Sequence, residues 1–454
     1  MTKTISRKWI YLPVEVKTRE FIPKLFLGAK AVRAGFGIIL GRNGMNINHD
    51  EFPTGIYFDK CLSKHKIKSH EYQVNTLGNH LVSFDEEGLL FKSEETYVSN
   101  RLTQKSIDLS TLIFVWGKEQ EQVIRKNFSV GEKLVVSGGP RLDIWRPEFA
   151  SLYDSKIEEL RQRHGKFVLV VSNWGFNPNE KEGGLNPHNV YPGNLVSHVR
   201  SAFITLVTQL SNALPNQTVI VRPHPVDVPE YWETIGKTFP QNVKVIDEGP
   251  ISPWIHAAHA VIHNDCTTGL EAWMGKVSTF AYYPIFKEFE EYRRYTMPVN
   301  ELGVVCRTAE QLITRVSETF SNDSASDTKK YDTKNDFARK YVHIENSRYA
   351  SDYIVKRLQE LNVAEQNYRI SNYGVFKKLR AFWASLEWCA KDMLGKSGMY
   401  TMSYTRQKNP GMKREEVADL LAKLSPLTGV DQTFLQIEEV DKDTLCIYGR
   451  KEFR

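Results

Sequence analysis

Cysteine is scarce. The five in this 454-residue chain, Cys61, Cys266, Cys306, Cys389 and Cys446, are far apart and form no CxxC or metal-spaced pattern, which excludes a disulfide framework and a cysteine-built zinc site and points to a reducing compartment. Long apolar runs are also missing. No uncharged stretch approaches the roughly 20 residues that cross a bilayer, and the opening MTKTISRKWIYLPVEV lacks the apolar core of a signal peptide. The chain is therefore expected to be cytoplasmic, neither exported nor transmembrane. No GxGxxG follows the first strand-like run, which removes the dinucleotide-binding reading. No RRM, KH or zinc-finger signature accompanies the basic residues, so nucleic acid is unsupported as a partner. His256 and His259 share a helical face without a third ligand, and packing is expected of them, not metal binding.

What is present is an ordinary globular composition, 41% hydrophobic and 25% charged, in a chain too long for one core. The chain is organised around residues 218–284. There TVIVRPHP, VKVIDEG, AVIHNDCTTGLEAWMGK and STFAYYP alternate Val/Ile-rich runs with helical or turn segments, the pattern of parallel strands in an α/β sheet. Arg222 and His224 follow the first run, and His263, Asn264, Asp265, Thr267 and Thr268 follow the third. That is the carboxyl edge, where open α/β sheets bind ligands. Thr268, Gly269, Leu270 and Glu271 fit a capping box, so a helix is expected to open there. Either Thr268 and Glu271 only cap each other, or the helix's first amides and the threonine pair hold an anionic phosphate. The arginine and imidazole of RPHP would then add donors for a phosphate leaving group.

RPHP followed by HNDCTTGLEAWMGK resembles the donor half of GT-B glycosyltransferases that use cytidine nucleotides, namely bacterial sialyltransferases, capsule Kdo transferases and teichoic-acid CDP-glycerol polymerases. The resemblance implies that His224, Thr267 and Thr268 contact phosphate and that Glu271 reaches a ribose hydroxyl. The whole chain, from IYLPVEVKTREF through SFDEEGLL to SGGPRLD, also looks like the surface carbohydrate biosynthesis proteins. The implied fold is α/β and GT-B-like, with two Rossmann-like domains facing a cleft plus a helical and small C-terminal extension. The implied activity is transfer of a sugar, a 2-keto sugar acid from a CMP-linked donor, to a glycan or lipid-linked glycan acceptor, with no metal and no cofactor beyond the donor. A CDP-polyol phosphotransferase of the teichoic-acid type is the enzymatic alternative, supported by GGPRLD. A non-catalytic scaffold of polysaccharide assembly is the alternative of another class.

In the rest of the chain, KWIYLPV, GIILG, IYFD, HLVSFD, TLIFVW and KLVVSG read as strands, with helical segments at 19–33, 64–78 and 117–127, giving a first Rossmann-like domain over 1–145. Asp85, Glu86 and Glu87 lie just after one of these strands. Their loop resembles the E-D-G loop of capsule Kdo transferases, which implies Glu87, or Glu86 in its place, as nucleophile or general base; a solvated acidic turn is the plain alternative. SGGPRLD resembles the G-x-P-R-N-D segment of CDP-glycerol polymerases. Gly139 permits a tight turn there, and Arg141 either enters the cleft or pairs with Asp143. The nucleotide-sugar-binding domain is expected over 146–322, with Asn173 and Trp174 of the long loop after FVLVVSN lining its pocket.

Residues 323–365 are expected as helices crossing back to the first domain, and 366–454 as a basic amphipathic helix with a small accessory module. Residues 366–414 carry ten Lys/Arg against Glu387 and Asp392. Over 373–394, Phe376, Leu379, Phe382, Trp383, Leu386, Cys389 and Met393 recur at helical spacing. Such a stripe suits either a packed face or peripheral contact with the inner face of the cytoplasmic membrane.

Overall fold

The computed structural model describes residues 3–42, 52–89, 91, 93–171, 193–224, 227, 229–284, 298–321, 340–370 and 408–450, together with 382, 383, 386, 388–390, 393, 405 and 406. The chain forms two compact units. The first comprises Met1–Leu89, Glu95–Ile144 and Lys340–Arg454, and the second Leu90–Glu94 and Trp145–Arg339. Each is built on a Rossmann-like sheet, as the α/β reading expects.

In the first unit, β1 (Lys3–Arg7), β2 (Trp9–Val14), β3 (Gly37–Arg42), β4 (Ile56–Asp59), β5 (His80–Phe84), β6 (Leu112–Val115) and β7 (Leu134–Val136) are joined by β14 (Gln366–Ile370), β15 (Leu435–Asp441) and β16 (Thr444–Gly449). The large sheet runs β15-β16-β3-β2-β4-β5-β6-β7. Its β2–β7 part is parallel, and the strand WIYLPV is buried at every position, as a central parallel strand must be. From β2 the chain builds β3 on one side and then returns to lay β4 on the other. The topological switch point therefore lies between β2 and β4.

The strands expected in a separate accessory module belong to this sheet instead. β16 pairs antiparallel with β3, Ile447 opposite Ile38 and Thr444 opposite Gly41, and β15 pairs with β16. Without them the apolar β3 would be an edge with unpaired backbone groups, and the C-terminal hairpin closes that edge. Likewise β1 and β14 form a separate antiparallel ribbon. Of the helices expected over 323–365, the described residues contain the helix Ala350–Gln359, and residues 341–349 are not helical. Upstream of it, His343 N–H donates to the Trp116 carbonyl at 2.6 Å. A Cβ at Gly117 or at Gly138 (φ +68°) would overlap the backbone at Tyr341 and His343. That stretch lies too close against the first sheet's loops to coil.

The second unit contains β8 (Phe167–Val171), β9 (Thr218–Arg222), β10 (Val243–Val245), β11 (Ala260–His263), β12 (Ser278–Tyr282) and β13 (Val304–Cys306). All its pairings are parallel, in the order β10-β9-β8-β11-β12-β13. Alternate residues of one strand serve two cores. Val168 and Val170 pack with Phe203 and Phe280, whereas Phe167 and Leu169 pack with Trp254 and Val261. The winding runs outward from β8 to β10, then restarts at β11, so β8 and β11 flank the switch point where doubly wound sheets bind ligands.

Candidate functional site

At the switch point of the second unit, β11 ends in His263 and the helix Thr267–Met274 begins just beyond it. Two amides shape the turn between them. Asn264 Nδ2 donates to the Tyr282 carbonyl at 2.9 Å. Asp265 adopts a left-handed φ of 47°, which aspartate tolerates better than most residues. Its N–H donates to Asn300 Oδ1 at 2.8 Å, and Asn300 Nδ2 donates back to Asp265 Oδ1 at 2.6 Å.

The helix cap differs from expectation. Cys266 is the N-cap, with Thr268 N–H donating to its Sγ at 3.4 Å. Glu271 is buried and accepts from Ser252 Oγ at 2.5 Å. Thr267 is exposed and Thr268 half-buried on the first turn, where helix amides are suited to an anion.

Beneath that turn lies His263, with no exposure. Gly269 leaves the space for it, since a Cβ there would overlap the imidazole. Neither ring nitrogen meets a hydrogen-bond partner among the described residues. Leaving such a group unmatched costs about 1–3 kcal/mol, and a native protein tolerates that chiefly where a ligand or function accounts for it.

Burial pushes the His263 pKa down to about 4, so the ring is neutral at pH 7. A depressed folded pKa contributes stability that is complete above the ordinary value of 6.5 and is lost as pH falls towards 4. For this one ring the loss is on the order of 3 kcal/mol. The unfolding midpoint of the second unit is accordingly expected to fall across that interval in scanning calorimetry; a midpoint flat from pH 6.5 to 4 would contradict it.

His224 follows β9, on the opposite side of β8 from the β11 turn. Its N–H donates to Asp227 Oδ2 at 2.9 Å, Asp227 N–H returns to the His224 carbonyl at 2.8 Å, and Trp232 Nε1 donates to the same Asp227 oxygen at 2.8 Å. The backbone at His224 is thus pinned, with His224 half-buried at the carboxyl edge. Arg222, expected to face phosphate, is committed elsewhere. Its Nη1 and Nη2 donate to the carbonyls of Glu248 and Gly249 at 2.6 and 2.8 Å, and it lies 5.1 Å from the Trp254 ring centroid. Asn173 and Trp174 lie outside the described residues.

In the first unit the acidic loop after β5 is held from below. Buried Asp85 accepts from Arg101 Nη2 at 2.7 Å and from Tyr97 Oη at 2.9 Å, while Trp116 Nε1 donates to its carbonyl at 3.0 Å. Arg101 also pairs with Glu87, which is exposed. Glu86 is the acid the lock leaves over. Its side chain is 15% exposed and 3.8 Å from Arg141. Burial raises its pKa above the ordinary range, although Arg141, Lys24 and Lys60 pull the other way.

At the switch point of this sheet sits a buried charged group. Glu20 accepts from Lys24 at 2.9 Å and Lys60 at 2.6 Å, and Lys60 also reaches Glu15 at 3.2 Å. Arg141 and Asp143 do not pair with each other. Asp143 accepts from the N–H groups of Ala350 and Ser351, both at 2.8 Å, and so caps the helix Ala350–Gln359. Gly139 packs where a Cβ would overlap the rings of Phe84 and Trp116.

Sequence reasoning missed Asp227, Asn300, Arg101, Glu20 and Lys60. Only Asp227 carried a local signal, as an acid closing a turn after HP. Among the described residues no group of three or more His, Cys, Asp or Glu side chains is placed to hold a metal ion.

No family model matches the chain, and no curated protein matches it. Among solved structures, the wall teichoic acid polymerase TagF is similar with a TM-score of 0.46 and 11% identity, over 78% of this chain and 89% of that one. A UDP-GlcNAc 2-epimerase of Methanocaldococcus jannaschii, in complex with UDP-GlcNAc and UDP, is similar with a TM-score of 0.45 and 11% identity, over 77% and 99%. Against a TagF structure soaked with CDPG, at a TM-score of 0.36 and 14% identity, 57% of this chain aligns and spans 59% of that chain. Likeness this distant adds no argument about activity.

Proposed function

We infer that the chain is a glycosyltransferase of surface-polysaccharide assembly that takes its sugar, a 2-keto sugar acid, from a CMP-linked donor and passes it to a glycan or lipid-linked glycan. The observation that carries this reading is the turn at the second sheet's switch point. There a helix N-terminus, two threonines and a buried unmatched imidazole stand together after β11, with His224 at the same carboxyl edge. Amides and hydroxyls of the first turn stabilise a phosphate dianion, and neutral His263 can donate one hydrogen bond without adding charge. Glu271, assigned to a ribose hydroxyl, is buried and held in place by Ser252.

In the first unit, Glu86 supports the acid–base role better than Glu87. A carboxyl made more basic by burial can take a proton from an acceptor hydroxyl even with Arg141 at 3.8 Å, whereas Glu87 is exposed and in closer ion-pair contact with Arg101. Departure of CMP is assisted by fixed donors, so this chemistry does not call for a metal.

Transfer of a polyol phosphate from a CDP-polyol is the competing reaction, but GGPRLD, the segment that suggested it, has structural duties in Asp143 and Gly139. Product analysis separates the two. Incubation with a CMP-linked 2-keto sugar acid should release CMP and a transferred or hydrolysed sugar acid; CMP formed only from CDP-glycerol, with glycerol phosphate transferred, would replace this donor with the polyol one.

A further inference from the structure

Residues 382, 383, 386, 388–390 and 393 are helical. Among the described residues, Phe382, Trp383, Leu386 and Met393 are the most exposed of the large apolar side chains, at 57%, 67%, 44% and 85%. At about 100° per residue, positions 382, 386 and 393 fall within roughly 40° of one another and 383 within roughly 100° of 382. Trp388 falls on the other side of the helix. It is half-buried, with its ring 6.0 Å from the Arg42 guanidinium. One aromatic side chain is therefore turned towards the protein and an apolar stripe towards solvent, the reverse of a helix that simply packs. Exposed large apolar side chains grouped in this way mark an interaction surface.

The sequence flanking it narrows the partner. Lys377, Lys378, Arg380, Lys391 and Lys396 stand close to the stripe in sequence, against Glu387 and Asp392. A second copy would bring two such basic segments together. Nucleic acid would satisfy the charge and leave Leu386 and Met393 without a role. An anionic lipid surface satisfies both features, because basic residues are attracted to its headgroups while Phe, Trp, Leu and Met side chains enter the headgroup boundary. No helix among the described residues is long and apolar enough to cross a membrane, so such contact is peripheral.

We propose that the stripe around 382–393 docks this protein on the surface of an anionic phospholipid bilayer. This stands apart from the nucleotide-site reading. The test is co-sedimentation of the full chain with vesicles of phosphatidylcholine, with and without phosphatidylglycerol. Binding is expected only with phosphatidylglycerol and is expected to be released by salt.

The variant Phe382→Ser/Trp383→Ser/Leu386→Ser/Met393→Ser is expected to bind at least about tenfold more weakly. Its thermal midpoint should be unchanged, since these side chains are exposed. A second variant, Lys377→Gln/Lys378→Gln/Arg380→Gln, should weaken binding and flatten its salt dependence. The proposal is overturned if both variants bind like the wild type. It is equally overturned if the wild type ignores vesicles and instead forms a concentration-dependent dimer that the quadruple variant abolishes.

Discussion

Glu86→Gln is expected to lower CMP release from a CMP-linked 2-keto sugar acid by about 10²–10⁴-fold, the usual effect of removing a general base. The affinity for CMP should stay as in the wild type, because Glu86 belongs to the first unit and the proposed nucleotide turn to the second. Glu87→Gln should leave turnover near normal, since Glu87 is exposed and already spent on Arg101. The two substitutions are adjacent in sequence and isosteric, so their contrast isolates the environment. Folding raises the Glu86 pKa, so its contribution to stability is full below the ordinary 4.5 and is lost as pH rises through the raised value. Glu86→Gln should therefore unfold like the wild type in acid and slightly later at alkaline pH. Equal turnover of both variants, whether high or low, would remove Glu86 from this role.

The second large effect concerns stability. Glu20→Gln is expected to destabilise the first unit by about 3–5 kcal/mol, the cost of leaving a buried cation without its partner. Glu20 is 1% exposed and Lys24 4%, and the Glu20 carboxylate also accepts the N–H groups of Glu15 and Val16, each at 3.0 Å. Burial opposes its ionisation, but Lys24 and Lys60 outweigh burial and hold it well below the ordinary carboxylate range. Its contribution is then complete above the ordinary value of 4.5 and lost as pH falls towards the folded one. Urea unfolding at neutral pH measures the loss directly. A change under about 1 kcal/mol would place Glu20 among ordinary surface ion pairs.

The Val/Ile-rich runs made both parallel sheets legible, because a strand buried on two faces has little choice but to be continuously apolar. The polar residues after those runs located the carboxyl edges for the same reason. What one chain could not disclose is which neighbour a polar side chain prefers. Arg222 next to HP looks like a phosphate ligand, yet it is drawn to two carbonyls and the Trp254 face. Glu86 and Glu87 are indistinguishable by pattern, and Arg101, distant in sequence, decides between them. Glu20 and Lys24 carry no sign in the sequence that Lys60, from the end of β4, joins them in the interior. The C-terminal hairpin had the strand pattern but no local sign that β3, far upstream, needed an edge partner.

The most direct measurement is isothermal titration calorimetry of the full chain with CMP, UMP, GMP and ADP in the absence of divalent ions. CMP is expected to bind most tightly, and Thr267→Ala/Thr268→Ala to weaken it by about tenfold, the loss of roughly one to two hydrogen bonds to a charged group. Preferential binding of UMP or GMP, or CMP binding unchanged by the threonine substitutions, would contradict it.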